Sequence, residues 1–500
     1  MSNKTISHIQ KEAFLYSLAS IAIFLLMAVI FFLQMGTIWL YITAQILYLL
    51  TFIVVFYFLT RKINWVGKYG TFMLTPDKTP LIILAYPVLR EDEDTMHSTM
   101  LSLGKIDYPK DKYRVIAIPN SDDTFTIEAL KRLQMEFPFL ELMEVPPTAD
   151  PSWNVVWQAW DGNPKAYWWH KGKTKGAHNL PPKKTRQLIY LFYTLVSKIG
   201  TDWVLDYIDC DSITPPSHFK LAAAGLQKYD VLQSTNVVGN LMDTYSTSLH
   251  SFDHMTWDGM LYPHMSANGK HPYYLLGKGL FYKARDLWDL GGFHPWITIE
   301  DPEVGIRLWA NGKRLGIIEE PLIEEVPQNF ITGGITQRNR WMCGFFQTMS
   351  SPLKDIGLKF GQRQLARLNM VPVMSLLINI IGIPTGIYAA YLFIQNSGIL
   401  PFWVVFLSII NIIFYISLMI AIYSSIWKRT KLVLNKTGDR ISYMVRINFI
   451  VLFFYWFLWA IPIIGGFIMF VTDKGKEWAR TEKVDADRDI AEGQTLLKQQ

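Results

Sequence analysis

Two aspartates with one residue between them, Asp209-Cys210-Asp211, follow a strand-like segment of the chain. Side chains two positions apart in an extended segment point to the same side, so the two carboxylates can share one divalent cation. Such a cation neutralises a diphosphate and stabilises it as a leaving group. Solvated aspartate pairs are also common at strand ends, so the tripeptide alone fits either a metal site or an ordinary loop.

A second acidic pair, Glu300-Asp301, precedes a helical pattern, and the segment Gln337-Arg-Asn-Arg340-Trp341 lies further along the chain. Acids at the start of a helix are stabilised by the helix dipole, which would explain the pair without any chemistry. A basic and aromatic helix at a membrane surface would explain Arg340 and Trp341. Neither explanation predicts Gln337 at its position.

Alternating strand and helix patterns lie upstream of these groups. Three segments read as buried strands and two as helices between them: residues 79–87, 113–118 and 140–145, and residues 95–105 and 127–137. This order indicates a parallel sheet wrapped by helices. Ligands of such open sheets bind beyond the carboxyl ends of the strands. The acidic loops that follow Pro87 and Ile118 are expected at that edge.

The segment from Trp153 to His170 is unusually aromatic. Ligand rings can stack on aromatic faces, so a binding platform is one interpretation, and core packing or membrane anchoring is the other. We favour the second and assign the segment no role.

The composition is that of a membrane protein, because half of the 500 residues are hydrophobic and only 18% are charged. Five stretches without charged residues each reach the roughly 20 residues that cross a bilayer as a helix. They are residues 13–34, 37–60, 371–394, 401–427 and 447–472. The first exceeds the apolar core of a signal peptide, so we expect it to be retained. Transporter spans carry ionisable residues, and these spans carry none, which disfavours that class.

Basic residues near the spans predict the orientation. Arg61, Lys62 and Lys68 follow the second span, and six lysines and arginines accompany a single acid, Asp439, between the fourth and fifth. Basic loops are typically cytoplasmic, so the central domain is predicted to face the cytoplasm from the plasma membrane. The predicted segments are a cytoplasmic tail (1–12), two transmembrane helices (13–60), a cytoplasmic catalytic domain (61–345), interfacial amphipathic helices (346–369), about three transmembrane helices (370–472) and a polar tail (473–500).

Two cysteines make a disulfide framework improbable, as expected for a domain on the reducing side. The net charge of +6 is concentrated at membrane edges, where anionic lipid is the expected partner rather than nucleic acid. In the last span, Pro462 and Gly465-Gly466 leave open a re-entrant element in place of a full crossing.

Taken in order, the three groups at Asp209-x-Asp211, Glu300-Asp301 and Gln337-x-x-Arg340-Trp341 resemble a known family. It comprises the inverting membrane glycosyltransferases that include cellulose, chitin and hyaluronan synthases. The resemblance implies an α/β fold, a GT-A-type (Rossmann-like) domain with a mixed, mostly parallel sheet, joined to an α-helical transmembrane bundle. It also implies a polysaccharide synthase that adds sugars to a β-linked glycan and couples synthesis to export. Single addition to a lipid-linked or short glycan is the alternative.

The resemblance assigns a role to each of these groups. Asp209 and Asp211 would hold Mg²⁺ or Mn²⁺ on the diphosphate of a UDP- or GDP-sugar. Asp301, next to Glu300, would be the general base that deprotonates the glycan acceptor. Gln337, Arg340 and Trp341 would bind the phosphates and form a floor beneath the acceptor sugar. Accessory export or polymer-processing subunits are compatible with the same resemblance.

Further positions resemble the donor-binding segments of the family. The segment from Lys173 to Asn179 implies that Lys175 approaches the nucleotide phosphates. Pro87 and Glu91 match a donor-site loop, in which Arg90 replaces an asparagine of the family. Asn120 and Asp123 lie where the family has an aspartate-rich loop on the base, although Pro119 replaces its first acid.

Overall fold

A computed structural model describes most of the central domain and four of the five predicted spans. The described residues are 36–67, 79–166, 178–266, 271–328, 330–350, 359–395 and 400–472. The predicted first span at residues 13–34 and the predicted phosphate ligand Lys175 lie outside them.

Eight strands form one sheet in the order β1-β8-β6-β7-β5-β2-β3-β4. Every neighbouring pair is parallel except those of β7, which runs antiparallel to β5 and β6. This confirms the predicted mixed, mostly parallel sheet. The strands are β1 Trp65–Val66, β2 Ile82–Tyr86, β3 Tyr113–Ala117, β4 Leu140–Leu142, β5 Val204–Tyr207, β6 Val231–Val238, β7 Leu280–Lys283 and β8 Leu315–Glu324.

The central strands are apolar on both faces because helices cover both sides of the sheet. All five residues of β2 are buried. Ile83 and Ala85 belong to one hydrophobic core, and Ile82 and Leu84 belong to the core on the opposite face. Burial on both faces fixes the register of β2, and so fixes where the loop after Tyr86 emerges.

Among the described residues, the first α-helix is a candidate span and the next nine belong to the domain. They are α1 Thr37–Leu59, α2 Glu93–Leu103, α3 Thr124–Glu136, α4 Asn154–Gly162, α5 Lys184–Ile199, α6 His218–Gly225, α7 Tyr245–Thr256, α8 Tyr262–Met265, α9 Ala284–Asp289 and α10 Asp301–Ala310. A π-helical turn, Trp257–Leu261, connects α7 to α8.

Eight further α-helices follow the sheet. They are α11 Thr336–Ser350, α12 Phe360–Leu368, α13 Val371–Met374, α14 Asn379–Gln395, α15 Phe402–Arg429, α16 Thr437–Arg446, α17 Phe449–Leu458 and α18 Ala460–Val471. In the part of the chain that the structure describes, four continuous helical segments are long and apolar enough to cross a membrane: Thr37–Leu59, Val371–Gln395, Phe402–Leu432 and Phe449–Val471. They correspond to four of the five predicted spans.

Helix α18 packs closely on α11, the helix that carries Gln337, Arg340 and Trp341. Two glycines of α18 make this approach possible. A Cβ on Gly465 would lie 2.6 Å from the Oδ1 of Asn339, and one on Gly466 would lie 2.8 Å from the Asn339 carbonyl oxygen. These glycines therefore serve helix packing in the structure.

Substituting Gly466 by alanine is expected to lower the stability of the protein by about 1–3 kcal/mol, because the added methyl overlaps the α11 backbone. Gly438→Ala is the matched control, since a Cβ there meets no atom within 4 Å. Thermal unfolding of both variants in detergent would measure the difference. Equal melting temperatures would contradict the close packing of α18 on α11.

Candidate active site

The candidate site lies at the edge of the sheet where the parallel strands end. Pro87 follows β2, Asp209 and Asp211 follow β5, and Glu325 follows β8. Because β7 runs in the opposite direction, the residues before it, including Lys278, come to the same edge. The reversal therefore adds a loop to the edge that a purely parallel sheet would not supply.

One cavity of about 850 Å³ opens at this edge. Most of the residues predicted from the sequence line it together: Pro87, Glu91, Asp209, Asp211, Glu300, Asp301, Gln337, Arg340 and Trp341. Asn120 and Asp123 do not line it.

Those two residues have partners within the domain. The Asn120 Oδ1 accepts a hydrogen bond of 2.7 Å from Arg186. Asp123 caps α3 through the Thr126 amide and accepts a 2.6 Å hydrogen bond from the backbone amide of Arg90. Arg90 has a positive φ of 51°, so the carboxylate stabilises a left-handed turn in the loop that contains Glu91.

Lys184, at the start of α5, joins the acidic groups at the centre of the cavity. Its Nζ lies 3.1 Å from Asp209 Oδ1 and 3.8 Å from Glu300 Oε1, and donates to the Gly277 carbonyl oxygen at 3.1 Å. Burial opposes its charge, but the carboxylates of Asp209, Glu300 and Asp301 outweigh burial and raise the pKa of Lys184. The ammonium is therefore a permanent cation of the site.

Asp301 is the first residue of α10 and lies against Gly277, where a Cβ would meet its carboxylate at 3.3 Å. Burial and the neighbouring Glu300 raise the pKa of Asp301 well above the usual aspartate range, and Lys184 opposes this rise. A carboxylate in these surroundings gains proton affinity, as a general base requires. Gly277 has no side chain, so the space in front of the Asp301 carboxylate stays open.

The carboxylates of Asp209 and Asp211 fit a hard divalent cation. Asp211 is buried, and its Oδ2 accepts the backbone amide of Glu325 at 3.3 Å. Nine carboxylates line the cavity against four lysine or arginine side chains. A diphosphate would be repelled by this excess of negative charge unless a cation joined it, and carboxylate oxygens are ligands that Mg²⁺ and Mn²⁺ accept.

A second group in the cavity was not predicted from the sequence. His254 Nδ1 lies 3.2 Å from both Asp258 Oδ2 and Glu324 Oε1, and these three atoms have the spacing of a metal site. Glu324 also contacts the Lys278 ammonium. His254 and Asp258 lie one helical turn apart, whereas Glu324 comes from the distant end of β8, so the sequence does not show that the three residues meet.

The segment Gln337-Arg-Asn-Arg340-Trp341 forms the first turns of α11, with Gln337 buried and Arg340 and Trp341 half-buried. Burial lowers the pKa of Arg340, and the carboxylate of Asp209 opposes this shift, which places the guanidinium near the first aspartate. Trp341 meets the His254 ring edge-on at 5.5 Å between centroids. The three groups that are distant in sequence thus meet in one cavity.

The aromatic segment is a packing element in its described part. Trp153, Trp157 and Trp160 are buried in the main core beside Tyr190 and Tyr193. None of them lines the cavity. Core packing, one of the two explanations favoured over a binding platform, accounts for these residues.

Replacing Lys184 by methionine is expected to lower the rate of the reaction at this site by about 100-fold, because a fixed charge is lost from the site. Since Lys184 lowers the pKa of Asp301, the acidic limb of the pH–rate profile should also move to higher pH. Lys198→Met, an exposed position on the same helix, is the control. An unchanged pH limb would contradict the coupling of Lys184 to Asp301.

The cavity continues between the apolar helices. Its wall there comes from α1, α14, α15 and α17 with their adjoining segments, and it includes no Asp, Glu, Lys or Arg side chain. Polar pairs link these helices: Tyr41 with Ser408, Tyr48 with Asn379 and Gln45 with Asn411, at 2.7–2.8 Å. The acidic site and the interior of the bundle thus share one continuous space.

A mostly parallel sheet with carboxylates at its strand ends, attached to apolar helices, defines the chain as a GT-A-like α/β domain with candidate membrane spans. The family model described as glycosyl transferase family group 2 matches residues 203–469, just over half of the chain. The protein therefore belongs to glycosyl transferase family group 2.

Solved structures resemble the chain at low sequence identity. The mannosyltransferase PcManGT from Pyrobaculum calidifontis, in complex with GDP-Man and Mn²⁺, is 15% identical with a TM-score of 0.51, over 88% of this chain and 99% of that one. TarS 1–349 from S. aureus, in complex with UDP-GlcNAc, is 12% identical with a TM-score of 0.33, over 81% of this chain and 95% of that one. No curated protein sequence matches the chain.

Proposed function

We propose that the protein is a membrane polysaccharide synthase. It would transfer a sugar from a UDP- or GDP-sugar to the growing end of a β-linked glycan, with inversion, and deliver the product into the membrane bundle. The observation that carries this proposal is the single cavity that joins the carboxylates at the strand ends to the space between four apolar helices.

The donor would lie with its diphosphate near Asp209, Asp211 and Arg340. A Mg²⁺ or Mn²⁺ ion held by the two aspartates would neutralise the diphosphate as the leaving group. The PcManGT structure, which has the same fold, is in complex with a nucleotide-sugar and Mn²⁺, the classes proposed here. Lys184 and Arg340 supply the fixed positive charges on this side of the cavity.

Asp301 would accept the proton of the acceptor hydroxyl. The oxygen then bonds to the anomeric carbon as the bond from that carbon to the diphosphate breaks, and the nucleoside diphosphate departs. Attack from the face opposite the leaving group inverts the anomeric centre, so an α-linked donor gives a β-linked product. Trp341, on the cavity wall, offers a surface on which the acceptor sugar can stack.

The wall between the helices suits a neutral glycan. It combines hydroxyl and amide side chains with Trp456 and Trp459, and its lack of ionised groups avoids tight binding at any one point. We place the domain in the cytoplasm, next to the plasma membrane, because basic residues flank the spans on the domain side.

A second candidate is a single transfer to a lipid-linked acceptor. Phe52, Leu376, Ile383, Ile412 and Leu418 make part of the same wall apolar, as a polyisoprenyl or acyl chain would require. Both candidates use the same acids, so the product distinguishes them.

The purified full-length protein in liposomes, supplied with a panel of radiolabelled UDP- and GDP-sugars and Mg²⁺ or Mn²⁺, tests the proposal. We expect a ladder of long products that contains one sugar. Products with one added sugar, extracted into organic solvent, would favour the second candidate. Failure to use any donor in the panel would contradict both.

A further inference from the structure

Asp253 of α7 is the centre of a hydrogen-bond network that joins three parts of the molecule. Its Oδ2 accepts hydrogen bonds from Arg338 Nη2 at 2.9 Å, Tyr455 Oη at 2.5 Å and Trp459 Nε1 at 3.0 Å. Arg338 belongs to α11, whereas Tyr455 and Trp459 belong to the last apolar helical segment. One carboxylate oxygen thus connects the domain, the Gln337–Trp341 segment and the bundle.

Arg338 links the Asp253 network to the cavity, because it contacts Trp341 on the cavity wall. Its guanidinium lies over the ring of Trp341 at 5.6 Å and over the ring of Trp459 at 5.3 Å. Another guanidinium nitrogen donates to the Gly334 carbonyl oxygen at 3.2 Å, which fixes its orientation at the start of α11. A planar cation held against both rings supports Trp341 from one side, while Trp341 also lines the cavity.

Asp253 and Arg338 each need the opposite charge of the other. Arg338 is almost fully buried and Asp253 is about 14% exposed, so neither ion is well solvated. Removing one partner would leave the other buried without a counterion, which is much less favourable than the intact pair. The network is therefore expected to hold one arrangement of Trp341 relative to the bundle.

We propose that Asp253 is a positioning residue for the acceptor: through Arg338 it holds Trp341 at the junction between the acidic site and the last apolar helical segment. This inference rests on the proposed sugar transfer and extends it. Asp253 touches neither the donor nor the reacting atoms in this account. A change at Asp253 should therefore alter acceptor binding and leave donor binding unchanged.

Asp253→Asn is the test, because asparagine keeps the size of the side chain and removes its charge. Transfer to an added acceptor should fall by about 10- to 100-fold, the effect of weakening a charge-assisted hydrogen bond. The change should appear in the acceptor KM and in product length. The donor KM, and donor hydrolysis without acceptor, should stay within about twofold.

Two variants make this experiment specific. Asp289→Asn, at an exposed position at the end of α9, controls for a lost aspartate charge and should match the wild type. If Asp253 acts through Arg338, the double variant Asp253→Asn/Arg338→Gln should lose little more than the stronger single variant. Additive losses would overturn the proposed route through Arg338.

A readout that needs no sugar transfer separates this inference from the proposed function. The chain has two cysteines: Cys343 is buried on α11, and Cys210 lies between the two acids after β5. Loosening α11 in Asp253→Asn should speed maleimide labelling of Cys343 and leave that of Cys210 unchanged. Unchanged labelling of Cys343 would overturn the inference, even in a protein that transfers no sugar. Equal losses of donor hydrolysis and transfer would also overturn it, since they would indicate a general structural role.

Discussion

Substituting asparagine for Asp301 is expected to lower the rate of sugar transfer by about 10²- to 10⁴-fold, the range for the loss of a general base. Asparagine has the same shape but cannot take the proton of the acceptor hydroxyl. The carboxylate lies against Gly277, near the Lys184 ammonium, where the acceptor would meet the donor. Transfer of labelled sugar, measured with saturating donor, gives the effect directly.

The pH dependence of sugar transfer is a second test of Asp301 as the general base. Burial and Glu300 raise the pKa of Asp301, and only the ionised form can act as a base. The rate should therefore fall as the pH drops through this raised pKa, at a higher pH than an ordinary aspartate would give. The profile of kcat/KM against pH should lose this limb in Asp301→Asn.

The affinity for nucleotide shows whether a loss of activity arises from the chemical step or from weaker donor binding. Asp301→Asn should retain its affinity for the nucleoside diphosphate, because its carboxylate serves the acceptor in this account. Asp202→Asn, an exposed position before β5, controls for the substitution itself. An Asp301→Asn protein that folds, binds nucleotide and transfers sugar at the wild-type rate would contradict the assignment of the base.

The sequence predicted the parts of the fold that depend on short-range pattern. The strands β2 and β3 lie inside the predicted segments at residues 79–87 and 113–118. Their continuous apolar runs, closed by Pro87 and Pro119, are a strong signal for buried parallel strands. The helix starting at Asp301 was equally readable, because acids and a proline occupy its first turn.

The sequence does not show which distant strands and residues come together. Strand β7 is only four residues long and antiparallel, and its direction depends on β5 and β6 as neighbours rather than on its own residues. Lys184 illustrates the same limit within the site. A lysine at the start of a helix is ordinary, and only the fold brings it within 3.1 Å of Asp209. Glu324 likewise meets His254 and Asp258, a pair one helical turn apart, only through the fold.

Sequence order alone does not show which polar side chains line the cavity. The loop after β3 ends near the carboxyl edge, as predicted, but Asn120 faces Arg186 and Asp123 caps α3. Capping satisfies backbone amides that would otherwise lack partners, so an aspartate before a helix is frequently used in this way. A role of Asn120 and Asp123 at the nucleotide base stays a prediction.

Replacing Asp211 by asparagine is expected to lower transfer by about a thousandfold, equivalent to roughly 4 kcal/mol of transition-state stabilisation. Asparagine can still accept the hydrogen bond from the Glu325 amide, so the loop should keep its shape while the cation loses a charged ligand. Chelation with EDTA should abolish wild-type transfer, and Mn²⁺ should restore it. Higher Mn²⁺ concentrations should be needed for the variant.

Because His254, Asp258 and Glu324 form a second candidate cation site, the test compares two variants. Mn²⁺ bound in the presence of nucleoside diphosphate can be counted by electron paramagnetic resonance in Asp211→Asn and in His254→Gln. If the diphosphate-linked ion sits at Asp209 and Asp211, the first variant loses it and the second retains it. The reverse result would move the ion to His254, Asp258 and Glu324, where the Lys278 ammonium already contacts Glu324. The charge at each position favours the first outcome, because Asp209 interacts with the cations of Lys184 and Arg340, which would bind the phosphates in the proposed mechanism.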